Sequence, residues 1–264
     1  MQEYNVVVET KPGTFEEVLA TDDMTLQQLA EECQENYRDR IVLANVNGRL
    51  RELNKKVTDG ATVSFLTMTE RDGKRTYRRS VTLLLQKAVD NLWGDSAHVR
   101  VFYSLGEGYY CELENNSIDD EKLAAIKSEM QRLVELNLPI EKNSVKTEEA
   151  EHRFRDRGMK DKERLLHYRR SSRVNLYSLD GMEDYFYGYM VPSTGYLGVF
   201  DLQLYEDGFV LLFPNKDGSK VEPLNTSNKL YHTLKQSREW SRMLGVGTIG
   251  ALNDAIAAGK GEQI

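Results

Sequence analysis

The 264-residue sequence predicts an α+β protein made of a small ββαββ unit followed by a larger α+β module. Three observations carry this. Apolar residues alternate with period two at the N-terminus, they switch to helical spacing over residues 81–92, and glycine-containing turn dipeptides separate the strand-like runs.

Tyr4, Val6 and Val8 alternate with Asn5, Val7 and Glu9 as a strand does, Pro12-Gly13 makes a turn, and Thr14 to Leu19 returns as a second strand. Thr25 is placed to cap a helix whose apolar face is Leu26, Leu29, Ala30 and Cys33. Ile41 to Val46 comes next, then Asn47-Gly48, the strongest short hairpin signal, and a last strand Thr62 to Leu66 after the Asp59-Gly60 turn. Residues 1–68 thus form one helix on a small mixed sheet.

Residues 69–78 read as a basic linker, because Arg71, Lys74, Arg75 and Arg78 stand among few apolar residues. The second module spans residues 79–225. Val81, Leu84, Leu85, Ala88, Val89 and Leu92 trace one helix face ending before Gly94, and strands are predicted at Val99 to Phe102 and Gly108 to Leu113. Ser117 with Asp120 resembles a capping box opening a helix that bears Leu123, Ile126, Met130 and Leu133. Charged helical segments cover Thr147 to Arg157 and Lys160 to Arg173. Strands are predicted at Val174 to Leu179, Tyr185 to Met190, Gly195 to Leu204 and Gly208 to Phe213. Residues 226–264 read as helical, with Ser227 as a cap.

A 40% hydrophobic and 29% charged composition suits a folded chain with a real core. The net charge of −7 means that nucleic-acid binding would need a local basic patch. No apolar run approaches the length of a membrane span and the N-terminus lacks a signal-peptide pattern, so the expectation is a cytoplasmic protein without a membrane partner. Cys33 and Cys111 are far apart and are expected to be reduced and buried.

Chemistry-bearing motifs are sparse. His98, His152, His167 and His232 have no Cys or His three or four residues away, so no metal site is expected. There is no Gly-x-Ser-x-Gly elbow. Gly245-Val246-Gly247-Thr248-Ile249-Gly250 matches a dinucleotide-binding pattern, but a helix precedes it where a strand is required, so a helix C-cap and turn is expected. Gly259-Lys260-Gly261 lacks the Ser or Thr of a P-loop. Arg169, Arg170 and Arg173, with Lys160, Lys162 and Arg164 upstream, form a basic run interleaved with Tyr168 and Tyr177. If that run and the linker arginines converge, Arg78, Arg169, Arg170 and Arg173 could contact phosphates or an RNA backbone. The alternative is a solvated face, since Asp161 and Glu163 lie within the run.

The ββαββ unit, with Val46-Asn47-Gly48-Arg49-Leu50 and Asp59-Gly60-Ala61, resembles the β-grasp-like TGS domain that opens threonyl-tRNA synthetases. The second module resembles their editing domain, through Arg79-Ser80 with Leu84-Leu85 and Ala88, Gly108-Tyr109-Tyr110, and Gly188 with Val191-Pro192. That family carries His-x-x-x-His and Cys-x-x-x-His, which bind a metal or position the hydrolytic water. Here the two pairs fall on Arg79 with Leu83 and on Phe186 with Met190. The Arg79 guanidinium, protonated at any working pH, cannot serve as a general base, and Leu83 and Phe186 can neither ligate metal nor move protons, so no catalytic residue is expected. Arg79, Phe186, Tyr187 and Tyr189 remain as candidates to line a ligand-binding pocket.

A TGS domain before an editing-like domain without its histidines also looks like the N-terminal half of bacterial nucleoside kinases acting on uridine. That resemblance implies a regulatory region whose partners are its own C-terminal kinase domain and a nucleoside or nucleotide. It places the kinase beyond Ile264, with ATP and Mg as the kinase's cofactors and none in this segment. The competing expectation is an RNA-binding module that retains the synthetase's tRNA contacts. A third, residual deacylation of mischarged tRNA, would fall to Glu183 and Asp184.

Overall fold

The computed structural model describes residues 3–114 and 116–263; Ile264, the expected junction, lies outside them. Along the chain the strands and helices are β1 (Glu3–Lys11), β2 (Thr14–Thr21), α1 (Leu26–Cys33), β3 (Ile41–Val46), β4 (Arg49–Arg51), β5 (Thr62–Thr67), α2 (Arg71–Trp93), β6 (His98–Leu105), β7 (Gly108–Glu114) and α3 (Asp120–Glu135). After these come β8 (Ile140–Lys146), α4 (Thr147–Asp156), α5 (Lys160–His167), β9 (Arg173–Leu179), β10 (Met182–Tyr185), β11 (Asp201–Tyr205), β12 (Gly208–Leu212), α6 (Asn228–Met243) and α7 (Ile249–Ala257). The fold is α+β, as the sequence predicts.

Two compact units result. The first takes the chain through Glu141 together with Leu179–Met182 and Gly188–Leu224. Its first sheet has the order β2-β1-β5-β3-β4, with β1 antiparallel to β2 and parallel to β5. Asn47 and Gly48 turn β3 into β4 with φ of 52° and 78°, the double positive φ that a two-residue hairpin needs. α1 buries Leu26, Leu29, Ala30 and Cys33 and opens on a complete capping box between Thr25 and Gln28.

Residues 71–78, expected as linker, are instead the first turns of α2. The apolar count misleads there because the buried positions are Gly73, Thr76 and Tyr77. Gly73 passes so close to Thr67 that a Cβ would strike its carbonyl oxygen, and the Tyr77 hydroxyl donates to the Val199 carbonyl at 3.1 Å and accepts from the Val199 amide at 2.9 Å. Further along, α2 buries Val81, Leu83, Leu84, Leu85, Ala88 and Val89. The second sheet runs β11-β12-β7-β6, with every residue of β12 buried. α3 is capped by Asp119, whose carboxylate accepts from the Lys122 amide at 2.8 Å, not by Ser117.

The second unit comprises Lys142–Ser178, Glu183–Tyr187 and the residues from Asn225 onward. Its sheet has the order β10-β9-β8, and its core gathers Val145, Ala150, Phe154, Leu166, Val174 and Leu176. The strand predicted over Tyr185 to Met190 is displaced: β10 ends at Tyr185, and Gly188 takes a φ of 133° that no strand uses. The strand predicted from Gly195 begins only at Asp201, after a 3-10 turn at Thr194–Tyr196. The Gly245–Gly250 motif is a helix-to-helix turn. The Gly245 amide bonds the Arg242 carbonyl and the Val246 amide the Ser241 carbonyl, closing α6, while Thr248 caps α7.

Candidate nucleic-acid interface

The four residues expected to line a pocket divide between the units. Arg79 and Tyr189 belong to the first, Phe186 and Tyr187 to the second. In the first unit the Arg79 guanidinium donates to the Tyr189 carbonyl at 2.6 Å and lies against Gly188, where a Cβ would collide with it. Arg79 is thus committed to holding a bend in the backbone.

The positions around it are buried. Leu83 is fully buried and Met190 is 2% exposed. The Ser80 hydroxyl lies 3.3 Å from the Met190 sulfur and accepts from the Val191 amide at 3.0 Å, and the buried Glu52 carboxylate accepts from the Met190 amide at 3.1 Å. Leu83 and Met190 therefore fill core volume where the resemblance places histidines. Among the described residues no group of three or more His, Cys, Asp or Glu could hold a metal ion.

The basic run in the second unit separates into two sets. Lys162 is bonded to the buried Asp184, and Arg164 pairs with Asp254 at 3.4 Å. Asp184 also accepts from the Tyr185 amide at 2.6 Å, and Glu183 is held by Arg153 at 2.7 Å. Both carboxylates are thus engaged by cations of the same unit.

Arg169, Arg170 and Arg173 are exposed and, among the described residues, have no carboxylate partner. Arg173 bonds the Ser144 hydroxyl at 3.1 Å and the Ser144 carbonyl. The Arg169 guanidinium carbon stands 5.6 Å from the centre of the Tyr187 ring and 6.0 Å from that of Tyr185. Such a cluster can take up phosphate charge while an exposed ring offers a stacking face to a base.

Arg78, in the first unit, does not present a free charge. It pairs with Glu107 at 2.7 Å, beside Lys74 at 3.0 Å, and its guanidinium carbon lies 4.9 Å from the centre of the Phe213 ring. The hydrogen bond from Lys74, aided by Arg78, holds the Glu107 carboxyl below the usual carboxylate range. Burial pushes the Cys111 thiol well above its ordinary value.

The first unit also holds a feature that no sequence motif marks. A cavity of about 590 Å³ is lined by Leu26, Val46, Asn47, Arg49, Arg51, Lys55, Lys56 and Thr58. Four cations within eight residues, around the single acid Glu52, were the available signal.

No family model matches the chain. It is similar to threonine-tRNA ligases: that of Syntrophotalea carbinolica is 29% identical over 163 residues, 61% of this chain and 26% of the ligase. That of Rubrobacter xylanophilus is 32% identical over 167 residues, 63% of this chain and 26% of the ligase. Threonine-tRNA ligase 2 of Bacillus subtilis is 28% identical over 181 residues, 68% of this chain and 28% of the ligase. The chain spans about a quarter of the length of these relatives. The relatives are consistently threonine-tRNA ligases, and nothing in them points to a kinase. The expectation of a uridine kinase is overturned, because these relatives are consistently named threonine-tRNA ligases.

Proposed function

We propose that this chain is a tRNA-binding module of threonyl-tRNA synthetase descent, with a TGS-like first segment and an editing-like region that no longer hydrolyses mischarged tRNA. The similarity to threonine-tRNA ligases carries the reading. Two features of the molecule support it. Arg169, Arg170 and Arg173 have no carboxylate partner among the described residues of a chain of net charge −7, and Arg169 stands beside the exposed ring of Tyr187. The positions that would activate water carry Arg79, Leu83, Phe186 and Met190, of which Leu83 and Met190 serve packing.

Fluorescence anisotropy with a deacylated threonine tRNA tests the binding. Affinity should fall steeply with salt, the logarithm of the constant dropping by about 2–3 per decade if three phosphates are neutralised. A chain that forms no complex at low salt does not have this function. Incubation with serine-charged threonine tRNA tests the second half, and amino-acid release that persists after contaminating activity is excluded would show that a hydrolytic site survives.

A further inference from the structure

We propose that the cavity beside β4 is a binding site for a ligand carrying two or more linked phosphates. It belongs to the first unit, whereas Arg169 and Tyr187 belong to the second, and it stands without the tRNA reading.

The cavity is built on fixed backbone. Arg49 and Arg51 are two residues apart on β4 and so share a face, and β4 is tied to β3 through the pairs Val46 with Arg49 and Ala44 with Arg51. The segment carrying Lys55 and Lys56 is pinned on both sides. The Lys55 amide donates to the Glu52 carbonyl at 3.1 Å, its carbonyl accepts from the Leu26 amide at 2.8 Å, and the Val57 amide donates to the Met24 carbonyl at 2.9 Å. A ligand would meet four cations whose backbone is already ordered.

Asp23 attracts Lys56 without forming an ion pair with it. Among the described residues none of Arg49, Arg51, Lys55 and Lys56 lies within ion-pair distance of a carboxylate. The one acid between them, Glu52, is 3% exposed and turned onto the Met190 amide. Like charges lining one cavity repel, and an oxyanion removes that repulsion. The first amides of α1 do not supply the attraction, since Leu26, Gln27 and Gln28 already donate to the Lys55 carbonyl, the Leu53 carbonyl and the Thr25 hydroxyl.

Size selects among anions. A cavity of about 590 Å³ exceeds what one phosphate needs and falls in the usual range of small-ligand sites, about 300–1,000 Å³. Leu26 and Val46 give it an apolar wall beside the cations, which suits a phosphorylated organic molecule. Free nucleoside polyphosphates and successive phosphates of an RNA strand share this chemistry.

Amide NMR titration of the whole chain with sodium tripolyphosphate is the test, followed by ATP and by tRNA. Saturable shifts confined to Val46, Asn47, Arg49, Arg51, Lys55 and Thr58 are expected. The double change Arg49→Gln with Lys55→Gln should weaken tripolyphosphate binding about tenfold or more, at unchanged melting temperature. The single changes give the same reading if the double variant does not fold. Displacement of tRNA by tripolyphosphate assigns the cavity to RNA phosphates; ATP binding that leaves tRNA affinity unchanged assigns it to free nucleotides. Absence of saturation at millimolar tripolyphosphate in low salt, or equal affinity in the charge variants, overturns the proposal. Failure of the tRNA reading looks different: shifts at the cavity persist while tRNA does not bind.

Discussion

The Arg169 guanidinium carbon lies 5.6 Å from the centre of the Tyr187 ring, and that tyrosine is 80% exposed. A cation over a solvent-facing ring presents charge and a stacking surface together. Arg169→Ala and Tyr187→Ala should each weaken tRNA binding by about 1–3 kcal/mol, by loss of a phosphate contact and of base stacking respectively. Their salt dependence should differ. The arginine change should reduce the salt slope by about one phosphate, whereas the tyrosine change should leave it unaltered. Equal slopes in both variants would show that Arg169 does not neutralise a phosphate.

Tyr77→Phe should destabilise the protein by about 1–3 kcal/mol in urea denaturation, although it removes one oxygen and no packing volume. The Tyr77 hydroxyl satisfies both the amide and the carbonyl of Val199, and phenylalanine strands both. Burial raises the Tyr77 phenol well above its ordinary ionisation range, so this tyrosine should stay protonated through an alkaline absorbance titration of the native protein.

Gly188→Ala should cost about 1–3 kcal/mol, because it forces a side chain into a backbone conformation that L-residues avoid. Its Cβ would also strike the Arg79 guanidinium. Combining it with Arg79→Ala should recover the part of the loss that comes from the collision and leave the backbone strain. A thermal-melt cycle of the four proteins separates the two, and strict additivity would mean that Arg79 and Gly188 do not press on each other.

Glu107 gives a pH dependence with a defined sign. Its folded pKa is depressed, chiefly by the hydrogen bond from Lys74, so its contribution is present above the unfolded value of about 4.3 and is lost as pH falls through the folded value. The side chain is 59% exposed and solvent screens the pair, so the contribution is at most about 1 kcal/mol. Glu107→Gln should flatten the acid limb of a stability-versus-pH curve and change stability at neutral pH by no more than that amount. An acid limb identical to that of the parent would remove Glu107 from the account.

Legibility followed the range of the interaction concerned. The Asn47-Gly48 turn, the Thr25 cap, the buried stripe of α1 and the closure of α6 at Gly245 depend on residues within a few positions of one another, and each formed where its residues predict. The helix over 71–78 was missed because its buried face is Gly73, Thr76 and Tyr77, which become core only when Thr67 and Val199 arrive. The strand predicted through Met190 stops at Tyr185, and Arg79, more than a hundred positions away, holds the bend beyond it.

The candidate site divides the same way. The sequence itself shows that Arg79, Leu83, Phe186 and Met190 stand where the resemblance would place three histidines and a cysteine, and that Arg169, Arg170 and Arg173 form a basic run. Which cations stay free was decided by tertiary structure. Glu107 quenches Lys74 and Arg78, Asp184 and Asp254 take Lys162 and Arg164, and the pairing of β3 with β4 sets Arg49 and Arg51 into one cavity with Lys55 and Lys56. A turn or a cap is settled by neighbouring backbone angles, but a charge is free or neutralised according to what folding brings within a few ångströms of it.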